Sequence, residues 1–140
     1  MRVAIYGAGG VGAYIGGRLQ AGGHDVTFIA RGRNLAALRV SGLVIKSALG
    51  DLALPTVAVT DDPAGVGPVE VIVLGVKLHD LERAAVAVKP LLGPDTMIVP
   101  VQNGVDAADR LVAVLGEGPV VNGAVYIVSF LTGPGQVEHR

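Results

Sequence analysis

Apolar residues fall in short blocks separated by polar or glycine-rich joints, and the period inside each block changes along the chain. Val3-Ala4-Ile5-Tyr6 is a continuous apolar run and predicts a strand over residues 2–6 buried on both faces. Over residues 10–21 the period turns helical. Val11, Ile15 and Leu19 share one stripe, Gly12 and Gly16 lie on the adjacent one, and Ala21-Gly22-Gly23 is the stop. Val26, Phe28 and Ile29 predict a second strand over residues 25–30, with His24 in the turn before it, and residues 35–41 a short helix. Residues 43–60 read as an extended excursion, either two antiparallel strands or one hairpin and a return into the main sheet. Asp61-Asp62-Pro63 signals a helix start in which the acids cap and turn. Residues 69–76 are almost wholly apolar and predict a central parallel strand. Asp80 then caps a helix whose buried face is Leu81, Ala84, Ala85, Val88 and Leu92, with Pro90 near its end. Residues 96–101 predict a strand, and Ala108, Leu111, Val112 and Leu115 mark a helix face. Residues 119–130 are apolar and β-rich. Thr132-Gly133-Pro134-Gly135 is a turn, and residues 136–140 start another strand.

One joint has a chemistry of its own. Gly7-Ala8-Gly9-Gly10-Val11-Gly12 follows the first strand and opens the first helix, the setting in which G-x-G-x-x-G reads as a dinucleotide loop. Gly7 allows the turn out of the strand, Gly9 removes the side chain where backbone meets a pyrophosphate, and Gly12 lets the helix sit close on the sheet. The helix start adds free N–H groups and partial positive charge. In a chain with 21 glycines the motif alone is weak; the strand before it, the helix after it and the second strand give it weight. The alternation of strands and helices, without repeat or linker, then predicts one α/β domain over residues 1–140. Its expected form is a Rossmann-type doubly wound, mainly parallel sheet with helices on both faces.

Three further sites lie where strands end. In this fold an acid after the second strand would bond the 2′-hydroxyl of NAD. This chain has Arg31-Gly32-Arg33-Asn34 there instead. A guanidinium fork matches a 2′-phosphate, which points to NADP; solvated loop arginines are the alternative. Lys77 follows the central strand, where ligands collect, and also fits a lysine snorkelling at a strand end. Asn103, in Gln102-Asn103-Gly104, either makes a turn or bonds a substrate or nicotinamide group.

Composition removes other classes. Of 140 residues, 51% are apolar and 16% charged, which suits a covered sheet and excludes a disordered chain. A net charge of −1 gives no sign of nucleic acid or an anionic membrane as partner. Cysteine is absent, so disulfides, thiolate catalysis and cysteine metal sites are excluded, and His24, His79 and His139 show no metal-ligand spacing. Glycines interrupt the apolar N-terminus, against a signal peptide. No apolar run reaches a membrane span, and the default location is cytoplasmic.

Taken together, Gly7 to Gly12, Arg31, Val76-Lys77, Gln102-Asn103-Gly104-Val105 and Gly135-Gln136-Val137-Glu138-His139 resemble the N-terminal, NADP-binding domain of the ketopantoate (2-dehydropantoate 2-) reductases over the whole chain. The glycine loop is generic; the spacing of the later pieces is more specific. The resemblance implies that Gly7, Ala8, Gly9, Gly10, Val11 and Gly12 hold the pyrophosphate and that Arg31 takes the 2′-phosphate. Lys77 and Asn103 would lie along the cofactor, with Asn103 also reaching the substrate. It implies hydride transfer from NADPH to a small 2-keto acid, 2-dehydropantoate giving pantoate in pantothenate biosynthesis. Family members continue into a helical domain with the catalytic lysine and a substrate-binding acid. Lys46, Lys77 and Lys89 do not match that lysine, so no catalytic residue is expected in this chain, which alone should bind NADP without turnover. A reductase of another 2-keto acid fits the same residues. A non-catalytic dinucleotide module is the alternative class, and a sugar- or glycerol-phosphate dehydrogenase a weaker one that Gln102-Asn103-Gly104 argues against. An exposed sheet edge and apolar flank predict self-association, as in a homo-oligomer.

Overall fold

The structure, a computed structural model, describes residues 1–102 and 106–140. In chain order its elements are β1 (Arg2–Tyr6), α1 (Gly10–Ala21), β2 (Asp25–Ile29), α2 (Gly32–Ser41), β3 (Leu43–Ser47), β4 (Leu52–Leu54) and β5 (Ala58–Thr60). There follow β6 (Val69–Leu74), α3 (Leu81–Ala87), β7 (Leu92–Pro100), α4 (Ala107–Leu115), β8 (Ser129–Gly133) and β9 (Gln136–His139).

β1 is apolar throughout because it lies at the middle of the main sheet. That sheet has the order β5-β2-β1-β6-β7, and every pairing in it is parallel. Alternate residues of β1 serve two cores: Val3 and Ile5 pack on the α1 side, Ala4 and Tyr6 on the α3 and α4 side. The chain builds outward from β1 through β2 to β5, then returns to the other side of β1 for β6 and β7. The reversal falls between β1 and β6, where a doubly wound sheet opens a crevice.

A second sheet, β4-β3-β9-β8, was not anticipated as a unit. β3 pairs antiparallel with β4 and parallel with β9, and β8 pairs antiparallel with β9. Residues 43–60 therefore take the form of a hairpin plus a return, with β5 rejoining the main sheet beside β2. The small sheet changes the reading of α1. A helix on one sheet needs one apolar stripe, but α1 is held between two sheets and is buried through Gly12, Ala13, Tyr14, Gly16 and Gly17. A Cβ at Gly16 would come within 2.5 Å of the Phe28 ring, and one at Gly17 within 2.6 Å of Ile45. The glycines let the two sheets close on the helix, while Val11, Ile15 and Leu19 are only half-buried. The Tyr14 ring stacks on His139 with centroids 4.2 Å apart, and His139 Nδ1 lies 2.8 Å from Ser47 Oγ.

Other expectations shift for local reasons. The helix after β2 begins at Gly32 rather than residue 35, so Arg33 and Asn34 stand on its first turn. The helix after Asp80 ends at Ala87; a 3-10 turn over Lys89–Leu91 carries Pro90, Leu91 fills the core, and Leu92 opens β7. On α4 the buried positions are Ala107 and Leu111, with Val114 and Leu115 packed beside them, a one-residue rotation of the expected stripe away from Ala108 and Val112. The β-rich stretch of residues 119–130 is mostly not strand. It touches the main sheet at the Ile98–Val120 bridge, then runs exposed through Tyr126 and Val128 until β8.

Candidate functional site

All the strand ends named from sequence that can be placed open into one cleft of about 1050 Å³ at the carboxyl edge of the main sheet. Its floor is the turn from β1 into α1. Gly7 has φ +97°, which a side chain would strain, and a Cβ there would lie 2.9 Å from the Gly75 carbonyl carbon. The turn is tied to both neighbouring strands: Gly7 N–H donates to Ile29 O at 3.2 Å, and Gly75 N–H donates to Tyr6 O at 2.8 Å. A Cβ on Gly12 would strike the Gly7 carbonyl oxygen, which explains the close seat of the helix.

Gly9 is different. It caps the N-terminus of α1 with an extended backbone, accepts from Ala13 N–H at 2.8 Å, and has nothing within 4 Å of where its Cβ would stand. No atom of the described residues requires a glycine there. A bare, open helix start with unpaired N–H groups suits a phosphate approaching the backbone. Gly10, one residue on, is crowded instead: its Cβ would strike the backbone of Ser129 and Phe130.

The loop is braced by residues far off in sequence. Asn34 Nδ2 donates to Ala8 O at 2.8 Å, and Gly135 N–H donates to Asn34 Oδ1 at 2.8 Å. Ser129 Oγ donates to Gly10 O at 2.8 Å. The small sheet thus fastens the glycine loop from the side opposite the main sheet. These bracing roles had no sequence signal, since Asn34 and Gly135 are 101 positions apart.

Arg31 lines the cleft at the end of β2 and is exposed. As N-cap of α2 it makes no side-chain capping bond, and it has no ion-pair partner among the described residues. Arg33 is exposed too but does not line the cleft. Asp61, at the end of the edge strand β5, lines it one strand further out. Across the switch point, Lys77 lines the cleft after β6 and is exposed, heading the 3-10 turn Leu78–Asp80. That turn is held from behind by Arg110, whose Nη2 donates to Leu78 O at 2.7 Å. The same guanidinium donates to Glu82 through Nε and Nη2, each at 2.7 Å, and holds the Glu82 carboxyl below its ordinary value. Asp80 is the N-cap of α3 without a capping bond; its carboxylate lies 3.4 Å from His79 Nε2. Asp62 does cap, accepting from Ala64 N–H at 3.1 Å. Arg83 and Gln102 also line the cleft, and neither was assigned a role from sequence. Among the charged groups, Arg31, Lys77 and Arg83 outnumber Asp61 and Asp80, so the walls favour an anion. Asn103 lies outside the described residues. Among those described, no group of three or more His, Asp or Glu is placed to hold a metal, and no helix is long and apolar enough to cross a membrane.

A parallel doubly wound sheet with an open glycine loop at its switch point defines a nucleotide-fold α/β domain of the Rossmann kind. Comparison with known proteins narrows this: the model of the ketopantoate reductase PanE/ApbA family matches residues 3–140, and the chain belongs to that family. It is 36% identical to a 2-dehydropantoate 2-reductase of Pyrococcus horikoshii over 143 aligned positions, covering 100% of this chain and 44% of that protein. It is 34% identical to YkpB, an uncharacterized oxidoreductase of Bacillus subtilis, covering 99% of this chain and 45% of the relative. The crystal structure of a Geobacter metallireducens 2-dehydropantoate 2-reductase superposes with a TM-score of 0.94 at 34% identity, over 99% of this chain and 46% of that one. The chain thus spans about half the length of the relatives it matches.

Proposed function

We propose that this chain is the NADP-binding half of an NADPH-dependent reductase of a small 2-keto acid, with 2-dehydropantoate as substrate and pantoate as product. The observation that carries the cofactor choice is Arg31, lining the same cleft as Gly9 at the strand end where NAD binders place an acid. The proposed arrangement sets the 2′-phosphate at Arg31 and the pyrophosphate at Gly9 and the start of α1. The nicotinamide half then lies toward Lys77, with Asn103 along cofactor and substrate. Bound there, the dinucleotide supplies the hydride. The chain's part is to bind and orient. Gly7 and Gly12 shape the loop, Asn34 and Ser129 brace it, and Lys77 adds positive charge near the reacting end. Proton donation to the developing alkoxide is assigned to a residue beyond these 140.

Titration of wild type and Arg31→Ala with NADPH and NADH tests the cofactor assignment. A charged hydrogen bond contributes about 1.5–3 kcal/mol, so the variant should weaken NADPH about 10- to 100-fold. NADH should change less than about twofold. Equal loss of both cofactors overturns the 2′-phosphate role. In parallel, absorbance at 340 nm with NADPH and 2-dehydropantoate should show binding without turnover by the 140-residue chain, and turnover would refute the division of labour.

A further inference from the structure

Arg31 stands at a sparsely held helix start. It is the N-cap of α2, but its side chain makes no capping bond and the first turn carries no acid. The first bond of the helix, from Leu35 N–H to Arg31 O, is long at 3.3 Å. Gly32 has φ +63°, with nothing within 4 Å of where its Cβ would stand. The body of the helix adds little hold, since Leu38 is its single buried residue. Local hydrogen bonding and packing therefore do little to fix the place of Arg31.

Asn34 supplies what the helix start lacks. Its Nδ2 donates to Ala8 O, and Gly135 N–H donates to its Oδ1, both at 2.8 Å. A backbone carbonyl takes one end of the amide and a backbone N–H the other, which settles its orientation. Each end meets backbone that is itself fixed. Ala8 is buried between Gly7 and Gly9 in the glycine loop. Gly135 has φ +69°, its carbonyl accepts from Val44 N–H at 3.0 Å, and a Cβ on it would come within 3.0 Å of Gly42 O. One amide, three residues past Arg31, thus ties the helix that carries the cation to the glycine loop and to the turn between β8 and β9. Ser129 also braces the loop, through Gly10 O, but its bond does not involve α2.

A 2′-phosphate and a pyrophosphate hang from the same ribose, so the distance between them varies little. A cofactor gains from both only when Arg31 and the loop stand at the matching separation. We propose that Asn34 sets this separation and is a specificity-determining positioning residue: it holds Arg31 where a 2′-phosphate meets it once the pyrophosphate is seated at Gly9. This rests on the cofactor reading above and goes beyond bracing the loop. Bracing alone serves NADPH and NADH equally, whereas the spacing to Arg31 concerns only the ligand with a 2′-phosphate.

The test is fluorescence titration of the 140-residue chain with NADPH and NADH, reading the preference for NADPH as the ratio of the two dissociation constants. Asn34→Ala should lower this preference about three- to tenfold. Ser129→Ala, which frees the loop from the small sheet but leaves the tie to α2, should keep it within about twofold of wild type. In an Arg31→Ala background, Asn34→Ala should weaken both cofactors equally, because the group it positions is gone. A preference changed less than about twofold in folded Asn34→Ala overturns the proposal. An equal fall in Ser129→Ala overturns it too, since general loosening would then explain the effect. So does a fall that persists without Arg31, which assigns Asn34 a direct contact with the ligand. If Asn34→Ala does not fold, Asn34→Ser, whose hydroxyl reaches less far than the amide, is read by the same ratio. If wild type binds NADPH no better than NADH, the cofactor reading falls and the inference with it. If wild type prefers NADPH and the Asn34 variants keep that preference, the inference alone falls.

Discussion

Two adjacent glycines allow the same methyl group to be added with opposite expected results. At Gly9 a Cβ meets nothing within 4 Å, and the backbone (φ −77°, ψ −166°) is extended and open to alanine. Gly9→Ala stiffens the unfolded chain, which favours folding by about 0.4–1 kcal/mol, and replaces a good N-cap by a poor one, which costs a similar amount. Net stability should stay within about 0.5 kcal/mol of wild type. The methyl would stand in the open mouth where we place the pyrophosphate and would hold it off the helix N–H groups. Losing one charge-assisted bond there weakens binding about 10- to 100-fold. At Gly10 the same methyl strikes the backbone of Ser129 and Phe130, which no rotamer change relieves, and displaces the Ser129 Oγ bond to Gly10 O. Overpacking of this kind costs about 1–3 kcal/mol and falls on the seam between the two sheets. Urea denaturation, with NADPH fluorescence titration of the folded proteins, reads both effects. Equal destabilisation by the two substitutions would show that Gly9 is structural. Undiminished NADPH binding by a folded Gly9→Ala protein would refute the placement of the pyrophosphate.

Asn34→Ala removes bonds to both Ala8 O and Gly135 N and should cost about 1–3 kcal/mol while loosening dinucleotide binding; urea midpoints and NADPH titration check it together. Asp61 places a carboxylate in the cleft beyond Arg31, so Asp61→Asn should tighten NADPH about two- to fivefold at low salt and leave NADH unchanged, with the gain fading as salt is raised. The hydrogen bonds from Arg110 hold the Glu82 carboxyl below its ordinary value. The stabilisation from this pair is therefore complete above the ordinary carboxylate range and is lost as pH falls through the lowered value. Arg110→Met should flatten the acid-side fall of the thermal midpoint and leave its slope near neutrality unchanged.

Much of the fold was legible because its signals are local. The run Val3-Ala4-Ile5-Tyr6 and the apolar block at residues 69–76 identify β1 and β6 as central strands. The period change at Gly10 and the glycines after Ala21 mark α1 end to end. The strand-end sites were legible for a related reason: once a parallel sheet is inferred, its carboxyl edge is known, and Arg31 and Lys77 are simply the cations that come next. The errors lie where one face of an element meets a partner not nearby in sequence. The stripe on α1 was read incompletely: Ile15 and Leu19 do pack on the core and Gly12 and Gly16 are buried, but Ala13, Tyr14 and Gly17 are buried too because a second sheet, partly built from residues 129–139, covers the helix from its other side. The face of α4 was rotated by one residue because its packing on α3 selects Ala107 over Ala108. Residues 121–128 have strand composition but form no strand: the stretch meets β7 at Ile98, where Val121 N–H donates to Ile98 O at 3.0 Å, and then leaves the sheet.

The sequence by itself determined the parallel α/β core, the glycine loop, and an arginine in place of an acid at the end of β2. Each depends on periodicity or on spacing within a few tens of residues, and such order survives in one dimension. Only the tertiary structure decided that Gly9 is bare while Gly10 is crowded, that Asn34 and Ser129 fasten the loop, and that Gln102 Nε2 holds the Leu74 and Val76 carbonyls at the end of β6. Those facts are distances between atoms contributed by far-apart stretches of chain, here the small sheet closing on α1 and β7 lying beside β6. Hydrogen bonding and steric exclusion act over about 3 Å, and no spacing along the sequence encodes which distant atoms come that close.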